Sequence, residues 1–495
     1  MSPTMRLLRR LHFYAGIVVG PFLLVAAITG GLYAIAPTAE KMIYRSELHT
    51  DSTGTPRSLA DQVDAAHAVH PDLPVDSVLP APKPGDTTRV LFTDPSLPES
   101  TMRAVFVDPA TLRITGDLPV FGSSWSLPMR TWLDGLHRNL NLGVPGRFYS
   151  EFAASWLWVI ALAGVALWIS AYRKKRRARG EARLLSVDRS TDGRSRSMNW
   201  HAVTGMWIVV ALLFLSATGL TWSRFAGAHV TDLRSALDWT QPTVDASLTD
   251  QPAPTGGEHA GHDMAGMPGM SDDPAPQDTV AARVARAEHV DGALGLARSV
   301  GVGTGSAVQI TVPADDHTGY TVSEVRAPWQ FSPDTAVVDP AAGRVVSVDH
   351  FRSWPLAAKL ANWGIAVHMG VLFGIANQLV LLVVALALAA MIVFGYRMWW
   401  QRRPRGSRRP GRAPARGALR ELPWPAVAGI AVVAVGVGWF IPLLGWPLLA
   451  FLVFDVLVAG WQRFRPGGEP AAASAVDPDS PEDPDPAAER EPVAV

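Results

Sequence analysis

HFYAGIVVGPFLLVAAITG at residues 12–30 and HAVTGMWIVVALLFLSATG at residues 201–219 are one pattern met twice. Each is an apolar run with a histidine at its head and Thr-Gly at its foot. An offset of 189 carries His12 onto His201, Gly16 onto Gly205, Thr29 onto Thr218 and Gly30 onto Gly219. A match of this kind implies a duplicated structural unit. Ionisable residues inside apolar helices are costly, and they mark function when they recur. The fold is therefore read outward from these helices.

Six apolar segments, at 12–36, 151–172, 200–222, 375–400, 424–440 and 442–461, could enter a bilayer. The first four are long enough to span it, and the last two are expected to form a hairpin. The chain has 18 Trp, several of them at the ends of apolar runs, where interfacial aromatics sit. Net charge is zero, which conceals segregation along the chain. Arg6, Arg9 and Arg10 precede the first segment; Arg173, Lys174, Lys175, Arg176, Arg177 and Arg179 follow the second. Arg397, Arg402, Arg403, Arg405, Arg408 and Arg409 follow the fourth. If the four helices alternate, these clusters share one side, which makes that side the cytoplasm and places the N-terminus there. Ala34-Ile35-Ala36 could close a signal peptide, but a run of about 25 residues exceeds the usual 7–15-residue core. Its twin at 201–219 is internal, so the first segment is read as a retained helix.

The expected organisation follows in order: a membrane helix at 1–36, an outer α+β module at 37–150, a second helix at 151–172 and a basic loop at 173–199. A third helix at 200–222 precedes a second outer module at 223–363, then a fourth helix at 364–400 and a basic linker at 401–423. A membrane hairpin at 424–461 and a disordered acidic tail at 462–495 complete the chain. Within the modules, helices are expected at 59–69 and 280–296. Strands are expected at 75–79, 88–93, 102–108 and 112–115, and again at 308–312, 320–325, 336–339 and 344–348. An offset of 231 aligns Asp108-Pro109 with Asp339-Pro340, His137 with His368, Gly164 with Gly395 and Trp168 with Trp399. The two offsets differ because the second copy carries an insertion at about 240–278. Two copies running in the same direction imply a pseudo-two-fold axis along the membrane normal. The fold class is thus a mainly α membrane protein: a four-helix core of two parallel repeats, each with an outer α+β module, plus a C-terminal helical hairpin.

The absence of cysteine excludes disulfides, thiolate metal sites, cysteine-held iron–sulfur clusters and c-type haem attachment. His, Met and carboxylates remain as metal ligands. His12 and His201 form one equivalent pair near the cytoplasmic ends, and His137 and His368 another near the outer surface. A lone histidine at a helix end is most simply an interfacial residue bonded to water or backbone. Here all four recur with neighbouring glycines while most other positions differ. Gly16 and Gly205, one turn from the histidines, would let a flat ligand or another helix come close. Zinc wants four ligands, and each layer supplies two. A b-type haem wants two axial imidazoles from facing helices and apolar walls, so two haems form an electron relay between the faces.

LHFYAGIVVGPFLLVAAITG, LHRNLNLGVPGR, the second HxxxG helix and IAVHMGVLFGIANQL resemble the PepSY-associated transmembrane proteins, over about residues 5–400. That family includes iron-regulated membrane proteins and ferric-siderophore reductases of bacterial inner membranes. The resemblance implies periplasmic PepSY-like modules on a four-helix core. For the reductase members it implies haem on membrane histidines and delivery of electrons to a ferric chelate outside. His12, His137, His201 and His368 match the motif histidines, while their pairing comes from the repeat.

The insertion has its own chemistry. His259, His262, Met264, Met267 and Met270 place imidazoles beside soft thioethers, the ligand set for copper in either oxidation state. The plain alternative is a low-complexity linker with incidental methionines. His67, His70, His229, His289, His317 and His350 have no repeat partner and read as surface residues. The Asp-Pro pairs read as turns. No dinucleotide fingerprint or Walker loop is present, so the donor is expected to be a quinol or a cytoplasmic reductase. The remaining partners are the lipid bilayer and a metal or metal chelate outside, with no nucleic acid. Two other readings stay open: a membrane-anchored binding or regulatory protein without redox activity, and a copper-binding membrane protein.

Overall fold

The computed structural model describes residues 2–180, 182–248, 279–402, 414 and 418–461. In chain order the helices are α1 (Pro3–Ile43), α2 (Arg45–Leu48), α3 (Leu59–His67), α4 (Pro128–Asn139), α5 (Val144–Arg179), α6 (Gly193–Leu220) and α7 (Ala226–Ala236). They continue with α8 (Val280–Ala287), α9 (Val290–Ser299), α10 (Leu356–His368), α11 (Gly374–Gln401), α12 (Trp424–Phe440) and α13 (Pro442–Trp461). The strands are β1 (Val75–Leu79), β2 (Thr88–Phe92), β3 (Thr101–Val107), β4 (Ile114–Phe121), β5 (Val308–Thr311), β6 (Tyr320–Glu324), β7 (Thr335–Asp339) and β8 (Arg344–Asp349).

Four helices, α1, α5, α6 and α11, are long and apolar enough to cross a membrane. Ser2 starts α1 by accepting the Met5 amide, with Pro3 following at a position that needs no donor. α1 packs on α5 and α11, and α6 packs on the same two helices from the other side. Ala15, Val19, Leu23, Trp156, Leu212 and Val384 fill the interior. Val18, Ile28, Val210, Leu386 and Val393 face outward and stay exposed. Helices apolar on the outside as well as the inside are built for lipid.

The hairpin docks on this bundle. Trp156 Nε1 donates to Leu443 O at 3.2 Å, and the Tyr14 and Phe451 rings lie 5.7 Å apart. At the turn, His229 Nδ1 donates to Phe440 O at 2.9 Å and its ring stacks on Trp439 at 5.1 Å. His229 is thus a docking residue and not a free surface histidine. α12 packs on α13 but has no fully buried residue, so its outer apolar face is open to lipid or a neighbour.

The segments joining α1 to α5 and α6 to α11 build one sheet. Its eight antiparallel strands run β4-β3-β2-β1-β5-β6-β7-β8, so the order outward from the centre is the same in both directions. β1 and β5 make the junction, Ser77 opposite Thr311 and Val78 opposite Ile310. One face buries a core drawn from both halves, including Val63, Val78, Val90, Val105, Ala293, Ile310, Val322 and Val338, under α3, α8 and α9. The other face of the first half packs Leu91, Phe106 and Val120 on Leu48 and Leu127, toward the helices. Full burial of each Val or Leu is worth about 1.5–3 kcal/mol, so the shared core binds the halves together.

Several boundaries differ from the sequence reading. The stretch before α5 is a helix, α4, ended by Leu140 in the left-handed region. The expected helix at 364–400 is two helices: α10 stops at His368, and α11 starts at Gly374. Gly370 (φ +75°) and Gly374 (φ +57°) make the break, in a conformation that side chains resist. The expected helix at 280–296 divides between α8 and α9, and β4 extends to Phe121. The start of the insertion is tied to the sheet, through Leu248 N to His317 O and Gly319 N to Ala246 O, each at 2.7 Å. His259, His262, Met264, Met267, Met270 and the acidic tail lie outside the described residues.

Candidate cofactor-binding site

The inner pair is brought together. His12 on α1 and His201 on α6 have ring centroids 6.1 Å apart, with planes at 81°. His12 Nδ1 donates to Ile160 O on α5 at 2.9 Å, and His201 Nδ1 donates to Met391 O on α11 at 2.8 Å. A carbonyl can only accept, so Nδ1 carries the proton and the Nε2 lone pair is left over. The rings lie over Gly164 and Gly395, each four residues beyond the accepting carbonyl, and only Gly164 is tight. A methyl on Gly164 would stand 3.0 Å from His12 Cε1, and one on Gly395 3.8 Å from His201 Cε1.

The outer pair sits on the short helices, His137 on α4 and His368 on α10. His137 Nδ1 lies 3.0 Å from Thr29 Oγ1, and His368 Nδ1 lies 2.6 Å from Thr218 Oγ1. Each threonine hydroxyl points its proton at its own helix, Thr29 toward Val25 O and Thr218 toward Phe214 O. With the hydroxyl proton so placed, Nδ1 of each imidazole donates to the threonine oxygen. Gly30 again leaves room, since a methyl there would stand 2.9 Å from His137 Cε1.

All four rings are half-buried, and none of the four Nε2 atoms has a hydrogen-bond partner among the described residues. Two imidazoles bound through Nε2 to opposite sides of one metal ion, with bonds of about 2 Å, have centroids about 6 Å apart. The inner pair already stands at that spacing. Among the described residues no three or more His, Cys, Asp or Glu converge, so the imidazoles come as pairs. Nothing lies within 4 Å of where a Gly16 side chain would be, while Gly205 abuts Met391 of α11. The open space beside Gly16 suits a flat ligand next to His12; Gly205 instead admits a helix.

Other parts of the site were silent in the sequence. Tyr33 stacks on His137 at 6.5 Å and Trp222 meets His368 edge-on at 5.5 Å. These two aromatics also stand 189 residues apart, but the change of residue type hid the match. Two buried glutamates head the outer helices. Glu40 accepts from Leu127 N at 2.8 Å before α4, and Glu151 accepts from Phe225 N and Ala226 N at 3.0 and 2.9 Å at the start of α7. Carboxylates there answer orphan amides and the positive helix end. Asp108, read as a turn residue, is buried and accepts from Thr50 and Ser52 hydroxyls at 2.7 Å each.

A family model described as PepSY-associated TM region matches residues 9–402, a span that contains all four histidines. The chain belongs to that family. No curated protein matches it.

Proposed function

We propose that this member of the PepSY-associated TM region family is an electron-transferring membrane protein of the bacterial inner membrane, carrying two b-type haems. The reading is carried by one observation: each of the four histidines holds Nδ1 against an oxygen, and no Nε2 has a hydrogen-bond partner among the described residues. His12 and His201 would hold one haem and His137 and His368 the other. Haem so held would supply one-electron exchange.

The chain's own residues do the rest. Ile160 O, Met391 O, Thr29 and Thr218 set the tautomer and ring orientation and make each ligand nitrogen more basic. Gly164, Gly395, Gly30 and Gly219 let the rings lie against helix backbone. The apolar interior between the layers is closed by Val19, Leu23, Trp156, Leu212 and Val384. His12 and Thr29 lie 17 residues apart on α1, or about 25 Å along the axis, which separates the layers across the membrane. The basic clusters orient the inner pair toward the cytoplasm and the sheet outward. Electrons then pass from a quinol or cytoplasmic reductase to a metal outside, either a ferric chelate such as a siderophore or copper. The palindromic strand order supports a duplicated unit with a local dyad between the halves.

Purified protein should be red, with a Soret band and sharp reduced α-bands. His12→Ala should remove one haem and His137→Ala the other. A colourless preparation from haem-replete cells would leave the sheet as an anchored binding module.

A further inference from the structure

The strongest unassigned feature is a buried guanidinium beside the outer histidines. Arg130 lies on α4 seven residues before His137, about two turns along the same face. Its Cζ stands 5.8 Å over the Tyr33 ring, which in turn stacks on His137 at 6.5 Å. The side chain is 7% exposed. Nη1 faces Glu40 Oε1 at 3.8 Å, and the Tyr33 hydroxyl and the Asp134 carboxylate also act on the guanidinium, yet Nε and Nη2 are buried without a hydrogen bond of good geometry among the described residues. Glu40 approaches through Nη1 and not through that edge, and its Oε2 accepts from Leu127 N. Asp134, one turn along, faces Arg138 at 3.7 Å.

The Nε–Nη2 edge of arginine presents two parallel N–H groups that match the two oxygens of a carboxylate. An edge of this kind left orphaned in a protein interior calls for an anion. The feature is one-sided, since Ala361 stands seven residues before His368. A flat ligand that carries its carboxylates on one edge would be turned by it into a single orientation. We propose that Arg130 receives a carboxylate at the outer pair, namely a propionate of the outer haem, which rests on the haem reading above. Burial favours a group that arrives with the cofactor over an acidic chelate from outside.

The test is a cycle between side chain and ligand, in a His12→Ala background so that only the outer site loads. Apoprotein is titrated with haem and with haem dimethyl ester, followed at the Soret band. Arg130→Gln should weaken haem binding about tenfold or more, the scale of a charge-assisted pair. Esterification should weaken binding to the parent protein similarly, yet weaken binding to Arg130→Gln no further. Losses that multiply would overturn the assignment. So would unchanged haem affinity joined to weaker binding of ferric citrate, which places the carboxylate on an outside ligand. Arg130→Lys keeps the charge without the fork; it should lie between the two and serves if Arg130→Gln fails to fold. If the parent protein takes up no haem at all, the haem reading itself fails, and this inference with it.

Discussion

Thr29 Oγ1 stands 3.0 Å from His137 Nδ1 while giving its own proton to the backbone at Val25 O, 2.9 Å away. Thr218 repeats the arrangement with His368. A threonine in a membrane helix commonly bonds back to its own turn; here that habit leaves its oxygen to accept from a neighbour. Thr29→Val keeps the shape and removes the acceptor. Outer-site haem affinity should fall about 10–100-fold, the usual cost of losing a ligand's supporting partner. A Soret titration that shows no change would remove Thr29 from the site.

The glycines under the rings differ in clearance, which gives a graded test. Gly164→Ala places a methyl 3.0 Å from His12 Cε1, whereas Gly395→Ala leaves 3.8 Å to His201 Cε1. The first should displace its ring and lower inner-haem occupancy; the second should be tolerated. Equal haem content in the two purified variants would count against ring placement by glycine.

Asp108 predicts an acid limit for the sheet. Burial alone would raise its pKa, but the hydroxyls of Ser52, Thr50 and Thr111 and the Ala110 amide hold it well below the carboxylate range. A depressed folded value stabilises the fold above the unfolded value, about 3.9, and that contribution is lost as pH falls through the folded one. Thermal unfolding should therefore stay level on this account from neutral pH down to about 3.9 and then fall. Asp108→Asn should start from lower stability at neutral pH and lose part of that acid slope.

For the His/Met stretch we propose copper binding, since His259, His262, Met264, Met267 and Met270 offer imidazole and thioether donors. Deleting residues 258–270 should abolish Cu(I) binding measured by competition with a chromogenic chelator, and leave the haem spectrum intact. Retained copper affinity would return the stretch to a plain linker.

Much of this fold was legible because its signals are periodic. The four spans follow from apolar length, and seven of the eight strands begin within one residue of where alternation and turn residues put them. β4, the exception, begins two residues beyond its expected start. The four histidines were legible because they recur. What could not be read was pairing between distant edges. Nothing in residues 75–79 says that their partner is 308–311, since either strand could equally have ended its own sheet. Arg130 was hidden for a related reason: only burial beside Tyr33 makes a surface-type residue informative. His229 lacked a repeat partner because what it touches, the turn at Phe440, has none either.

The β1–β5 junction has a consequence for how the molecule can be divided. Neither half can close its sheet alone, since each would end on a bare strand with unpaired amides and a half-covered core. A polypeptide cut in the loop between α5 and α6 should yield two fragments that recombine. One fragment made by itself should associate with its own copies along that strand. On the duplication proposed above, the protein would be a tethered dimer in architecture, and the tether would let one half lose or gain features, Arg130 among them, that a true homodimer would have to carry twice.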